Sequence, residues 1–207
     1  MKSKILLIPG ENTLEKVSCC DFLFPLDGFC VGMDRTFSLE NIPDHSYIYV
    51  NRLLDSRGIE EFVKLLPLFS KKVKGIVFED LGILNVLKEN SITVETIFYG
   101  THGVCSSYTA NSLLNDVDTV ILSNDITKEE SDEILERVTK KVGLMIFGHL
   151  PYMYSRRTLL TNYSEHFKLE KKKKRIVKEQ FSKQEFLVVE DEFGTMFYDP
   201  LVFDGRV

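Results

Sequence analysis

The chain has 207 residues, 43% of them hydrophobic and 28% charged, with 12 Gly, 6 Pro and no Trp. This composition excludes a disordered or collagen-like polymer and fits a globular domain with a small appendage. Its 31 acidic against 26 basic residues leave a net charge of -5, so any nucleic-acid binding must rest on a local patch. The cysteines, at 19, 20, 30 and 105, form neither a C-x-x-C pair nor a zinc-finger spacing, which fits reduced thiols in the cytoplasm and predicts no metal site. Lys2 and Lys4 precede a short apolar run, Ile5 to Pro9, too short for a secretory leader. No stretch approaches the ~20 apolar residues of a membrane helix, and no membrane partner is expected.

Seven apolar runs rich in Ile, Val, Phe and Tyr follow one another along the chain: 4–8, 21–26, 47–50, 75–78, 93–99, 119–122 and 143–147. Each reads as a buried strand. Between them, Ile59–Leu66 has helical apolar spacing, and Thr127-Lys-Glu-Glu130 is a capping box ahead of Ile134, Leu135 and Val138. Weaker helical patterns cover Thr13–Ser18, Leu81–Lys88 and Ser107–Leu114, while Ser38–Asn41 is hardly a turn. Continuous apolar strands separated by helices indicate an α/β fold with a parallel sheet. Seven or eight such units suggest a TIM-barrel-like domain, possibly incomplete, over residues 1–166. A doubly wound sheet is the competing arrangement, and Ile-Pro-Gly-Glu-Asn after the first run lacks its Gly-rich fingerprint.

From Lys168 to Lys183 there are eight Lys or Arg against two Glu, a local balance of +6 that leaves -11 for the remainder. Phe186 to Tyr198 then reads as a C-terminal β-hairpin around a turn containing Phe193 and Gly194. Residues 167–207 therefore form the expected appendage, a basic segment plus hairpin.

In a (β/α) barrel, functional groups collect just after the strands. Those positions carry Gly10, Glu11, Asp27, Asn51, Arg52, Glu79, Asp80, Thr101, His102, Ser123 to Asp125, and His149. Neighbouring strand residues point to opposite sides, so Glu79 and Asp80 are not to be assumed a carboxylate pair; one can face the mouth while the other caps the following helix, and Asp80, ahead of Leu81-Gly82, suits the cap. His102 and Cys105 have the spacing for a thiol–imidazole dyad on one helical turn, although a small buried Cys is the commoner use of that residue. The densest segment, Phe147 to Tyr163, gathers His149, Tyr152, Tyr154, Arg156 and Arg157. Read as a loop after the seventh strand, it offers planar guanidinium forks to a carboxylate or phosphate. The run Lys171, Lys172, Lys173, Lys174 and Arg175 suits RNA phosphates or a solvated face. H-E-x-x-H, G-x-S-x-G and P-loop motifs are missing.

The strand-end segments Leu6-Leu-Ile-Pro-Gly10, Tyr47-Ile-Tyr-Val-Asn51, Val77-Phe-Glu-Asp-Leu-Gly82 and Val120-Ile-Leu-Ser-Asn-Asp-Ile-Thr127, taken together, resemble those of the collagenase-like peptidase family U32. Phe147-Gly-His-Leu-Pro151 with Tyr154-Ser-x-Arg-x-Leu-Leu160, and Glu190-Asp-Glu-Phe-Gly-Thr195, continue the match in order. The resemblance implies a TIM-barrel-like fold and a peptidase or hydrolase activity. Its RNA-linked members, with the basic run, suggest a factor for RNA hydroxylation as an alternative, and the chain's departures from the family pattern suggest a non-catalytic partner of another protein. Some relatives carry an iron–sulfur cluster, but Pro151 and Thr158 stand where its cysteines occur, and thiolates are the ligands it needs. No cofactor is therefore expected. Asn124-Asp125 replaces the usual Arg-Glu. The expected site comprises His149 and Asp80 as acid–base groups, with Asn51, Tyr154, Arg156 and Arg157 binding a peptide or small anionic ligand.

Overall fold

The computed structural model describes residues 4–9 and 20–205. Gly10, Glu11 and the helix expected over Thr13–Ser18 lie outside the described residues. The chain divides into two compact units, residues 1–30 with 34–143, and residues 31–33 with 144–207. They are called unit 1 and unit 2.

Unit 1 carries β1 (Leu6–Leu7), β2 (Asp21–Pro25), β3 (Ser46–Val50), β4 (Val73–Phe78), β5 (Glu95–Phe98), β6 (Thr119–Ile121) and β7 (Lys141–Gly143). They pair in parallel in strict chain order, and β1 and β7 remain the two edges of a curled half-barrel. This order is the barrel type of winding, not the doubly wound one, whose strand order reverses partway. The crossovers hold α1 (Ser56–Val63), α2 (Phe69–Lys72), α3 (Gly82–Glu89), α4 (Ser107–Leu113) and α5 (Lys128–Arg137).

Every residue of β3 is buried, as expected of a parallel strand covered on both faces. One set of alternating side chains, including Ile48, Val50, Ile76, Phe78, Phe98 and Val120, joins the helices in the main core. There, Phe29, Phe62 and Phe69 stack edge to face with ring centroids 5.4 and 5.6 Å apart. The other set includes Tyr47, which sits in register with Leu23 and Gly75. A Cβ on Gly75 would come within 2.4 Å of the Tyr47 ring, so only glycine lets that ring cross β4. The Tyr47 hydroxyl donates to Glu95 Oε2 at 2.5 Å, and Lys4 Nζ reaches the same carboxylate at 2.6 Å. Burial alone would raise the Glu95 pKa, but these two donors outweigh it and hold the carboxyl below its ordinary range.

Side-chain caps set the starts of α1 and α5. Asp55 caps α1 by accepting from Gly58 N at 2.8 Å. Thr127 and Glu130 close the capping box of α5. α1 begins three residues before the expected Ile59, because the cap and not the first apolar residue sets the start.

Unit 2 contains β8 (Phe147–Ser155), α6 (Leu159–His166), β9 (Lys174–Lys178), β10 (Glu185–Asp191) and β11 (Gly194–Asp204). Its sheet runs β8-β11-β10-β9 and is antiparallel. The expected hairpin is β10–β11, turning at Glu192 and Phe193. Gly194 there has φ 146°, and a Cβ would stand 2.2 Å from the Ser155 carbonyl. Glu190 is the polar centre of this unit. Its carboxylate accepts from Leu160 N (2.6 Å), Thr161 N (2.9 Å), Thr161 Oγ1 (2.5 Å) and Thr195 Oγ1 (2.7 Å). A strand residue thereby caps the first turn of α6, whose preceding residue, Thr158, makes no side-chain cap.

Two sequence expectations shift. The seventh parallel strand is 141–143 and not 143–147, and the units divide at Gly143/Leu144, whereas the composition change pointed to 166/167. Residues 142–154 are almost wholly apolar, so no polar break marks where the parallel strand ends and the antiparallel one begins. Among the described residues, no helix is long and apolar enough to cross a membrane.

Candidate functional site

The C-terminal ends of β3 to β6 carry Asn51, Glu79, Asp80, Tyr99, Thr101, His102, Ser123, Asn124 and Asp125. Parallel pairing puts successive strand ends side by side: Glu79 N donates to Val50 O at 3.2 Å, and Tyr99 N to Phe78 O at 2.9 Å. Adjacent carboxylates after β4 take different roles. Asp80 Oδ2 accepts from Leu54 N at 2.6 Å and Oδ1 from Gly82 N at 2.8 Å, tying the loop before α1 to the first turn of α3. Glu79 instead interacts with the β5 end. Burial pushes its carboxyl up to about 7, against the opposing charge of His102 and a hydrogen bond with Thr101, with the Asp80 charge adding to the rise.

His102 is held by its Nδ1, which contacts Asp125 Oδ2. Both side chains are about half exposed. With Nδ1–H donated to the carboxylate, Nε2 is the nitrogen that exchanges protons with other groups. Asn124 Nδ2 donates to the Tyr99 hydroxyl oxygen at 2.7 Å. Burial pushes the Tyr99 phenol up to about 12, so it stays a neutral hydroxyl at physiological pH. Ser123 Oγ donates to Thr101 O at 3.2 Å, fixing the β5 and β6 ends to each other. The Cys105 thiol is exposed and donates to the His102 carbonyl oxygen at 3.4 Å; no contact with the imidazole ring is seen among the described residues.

The structure thus places a partly buried carboxyl at the end of β4 and an oriented imidazole and a neutral phenol at the end of β5, the latter two held by Asp125 and Asn124 from the end of β6. A carboxyl that changes charge near pH 7 is suited to moving protons in either direction. Sequence reasoning placed Glu79, His102 and Asp125 among the strand-end residues but selected Asp80. The signal that separates them is the Asp80-Leu-Gly82 cap pattern, which commits Asp80 to the helix start.

The other selected residues divide between the units. Asn51 is buried at the end of β3 in unit 1. His149, Tyr154, Arg156 and Arg157 belong to unit 2, on β8 and the turn that follows it. The segment read as an anion-binding loop is therefore mostly strand and helix. His149 Nδ1 bonds the Asp199 carbonyl oxygen at 2.8 Å across a bulge of β11, and Tyr152 donates to Asp199 Oδ2 at 2.9 Å. Tyr154 donates to Phe193 O at 3.3 Å. Arg156 and Arg157 are exposed. Arg175 Nη2 donates to the Glu170 carbonyl oxygen, while Lys171 and Lys172 form exposed pairs with Glu165 and Glu170.

Among the described residues, no group of three or more His, Cys, Asp or Glu is arranged to hold a metal ion. Residues 144–207 contain no cysteine.

The sequence model of peptidase family U32 matches residues 39–175, a span that contains every strand-end residue from Asn51 to Asp125. Among solved structures, the chain is similar to the U32 peptidase Mk0906, with a TM-score of 0.54 and 14% identity over 72% of this chain and 71% of that one. At that identity the likeness is one of fold. No curated protein sequence matches the chain.

Proposed function

This chain belongs to peptidase family U32, and from that membership we propose that it hydrolyses peptide bonds at the strand ends of unit 1, with Glu79 as general base. The observation that carries the reading is the placement of the partly buried Glu79 carboxyl at the β4 end, next to the β5 end that carries His102, where burial pushes it up to about 7. Ionised Glu79 takes a proton from a water as the water oxygen attacks the peptide carbonyl carbon. Collapse of the tetrahedral adduct breaks the C–N bond, and the proton that Glu79 took from the water passes through His102 Nε2 to the departing nitrogen, which returns Glu79 to its ionised form. Asp125 holds the ring for that transfer and stabilises its charged form, as a carboxylate does for an imidazole in other hydrolases. Tyr99, kept neutral, is a hydrogen-bond donor for the developing oxyanion. Asp80 supports the fold of the strand end and takes no part in the chemistry, because both its oxygens are engaged by backbone amides.

The test is cleavage of a mixed peptide library and of denatured collagen, with the new termini read by mass spectrometry. Glu79→Gln is expected to lower kcat by about 100-fold or more, the usual contribution of a general base. The rate of the native chain is expected to rise with pH through about 7 and then level, since the ionised carboxylate is the active form. Equal cleavage by folded Glu79→Gln, or none by the folded native chain across that pH range, overturns the proposal.

A further inference from the structure

Unit 2 holds out to solvent an aromatic ring that no packing requirement explains. Phe181, in the turn between β9 and β10, is 88% exposed. That turn is firmly built. The Glu179 carboxylate accepts from Phe181 N at 2.8 Å and from Ser182 N, Glu179 N donates to Gln184 O at 2.8 Å, and Lys183 Nζ reaches Gln180 O at 2.5 Å. The backbone amides hold the Glu179 carboxyl below its ordinary range, so the turn stays tied at neutral pH. A ring presented on a preorganised turn loses little conformational entropy when it is buried by a partner.

The segment that leads into this turn is cationic. Residues 168–183 carry eight Lys or Arg against two Glu. On β9, Lys174, Ile176 and Lys178 share one face by strand alternation, and Ile176 is 51% exposed between the two lysines. The ion pairs of this region, Lys171 with Glu165, Lys172 with Glu170 and Lys178 with Glu185, are all exposed. Pairs of that kind are weak and salt-screened, and anionic groups in excess displace them.

We propose that the β9–β10 hairpin attaches this protein peripherally to an anionic lipid bilayer. Phe181 enters the interfacial layer while the lysines lie against the headgroups. Peripheral attachment takes two signals, an apolar insertion and a basic patch; Phe181 supplies the first, and Lys174, Arg175, Lys178 and Lys183 of the hairpin, with Lys171 to Lys173 just before it, supply the second. Single-stranded nucleic acid fits less well. It binds grooves in which several rings stack successive bases, whereas the apolar side chain between Lys174 and Lys178 is aliphatic Ile176. An acyl-chain boundary accepts a phenyl ring and an aliphatic branch alike. The inference is independent of the Glu79 site and needs no membrane-spanning helix, the feature on which the sequence expectation of no membrane partner rested.

The experiment is co-sedimentation of the full chain with vesicles of phosphatidylcholine alone or with about one-third phosphatidylserine, beside a random single-stranded RNA. Binding to the anionic vesicles is expected to exceed that to neutral ones at least tenfold, and to fall steeply as salt rises from about 0.1 M to about 0.5 M. Phe181→Ser, in an exposed turn, is expected to weaken it about tenfold, and Lys174→Glu with Lys178→Glu at least about thirtyfold, with circular dichroism unchanged. Peptide cleavage in vesicle-free buffer is expected to be the same for Phe181→Ser and the native chain, which separates failure of this inference from failure of the peptidase reading. Absence of vesicle binding, equal binding to neutral vesicles, indifference to Phe181→Ser, or tight RNA binding without vesicle binding overturns the proposal.

Discussion

Replacing Glu190 tests how unit 2 is held together. Its side chain is 6% exposed and accepts four hydrogen bonds, two from the backbone amides that open α6 and two from the hydroxyls of Thr161 and Thr195. Burial raises the pKa of this carboxyl, but the two hydroxyls and two amides outweigh it, and the net direction is below the ordinary value. Glu190→Gln keeps the shape. Whichever oxygen becomes NH2 then faces a backbone N–H, a donor that cannot rotate away, and the remaining bonds lose their charge assistance. Charged hydrogen bonds contribute about 1.5–3 kcal/mol each and neutral ones about 1 kcal/mol. A net loss of about 2–4 kcal/mol follows. The chain has no Trp, so fluorescence of a native indole cannot report on unit 2, but amide hydrogen exchange read by mass spectrometry can. Peptides covering Leu159–His166 are expected to lose protection by roughly 30- to 700-fold, at 1.4 kcal/mol per factor of ten, with β4 and β5 unchanged. The pH dependence has a defined sign. With the folded pKa depressed, the stabilisation is present above the ordinary carboxylate pKa of 4.5 and is lost as pH falls below it toward the folded value. A change of less than about threefold in α6 would refute the cap as the organising contact of unit 2.

Glu79 carries the opposite linkage. Its folded pKa of about 7 against an ordinary 4.5 means that stability is full below 4.5 and is lost as pH rises through 7. Glu79→Gln should match the native chain near pH 4.5 and exceed its urea stability by about 3 kcal/mol at pH 8; an equal gain at both pH values would contradict burial as the cause. Asp80→Ala removes the bonds to Leu54 N and Gly82 N and is expected to cost about 1–3 kcal/mol in urea unfolding, with catalytic loss only in proportion to the unfolded fraction. A fully folded yet inactive Asp80→Ala chain would instead place Asp80 in the chemistry. Tyr47→Phe removes the donor to Glu95 and is expected to cost about 1–2 kcal/mol by the same assay, with no effect on peptide cleavage.

The half-barrel was legible because its strands are continuous apolar runs with capping residues between them, as at Thr127 and Glu130. Periodicity and caps are local, so one sequence displays them. The division at Gly143/Leu144 was hidden because Val142 to Tyr154 is apolar on both sides of it, and a parallel and an antiparallel strand there have the same composition. The candidate site was half legible. Strand-end position put Glu79, His102 and Asp125 in a set of more than ten candidates without selecting them, and telling Glu79 from Asp80 depends on which carboxylate meets backbone amides, which is decided in part by the Leu54 loop 26 residues earlier. His149, Tyr154, Arg156 and Arg157 looked like one site because they are close in sequence. Strand β8 instead spends His149 on a bulge carbonyl and Tyr154 on a turn carbonyl of its own unit.

The most direct measurement of the central claim is a carboxyl carbon-13 NMR titration of Glu79, assigned by comparison with Glu79→Gln. The account predicts an inflection near pH 7, moving when His102→Asn removes the neighbouring charge. The shift should be upward, since that charge favours the carboxylate. An inflection at the ordinary 4.5, unmoved by His102→Asn, would show a solvated carboxylate with no coupling to the imidazole and would contradict the acid–base site.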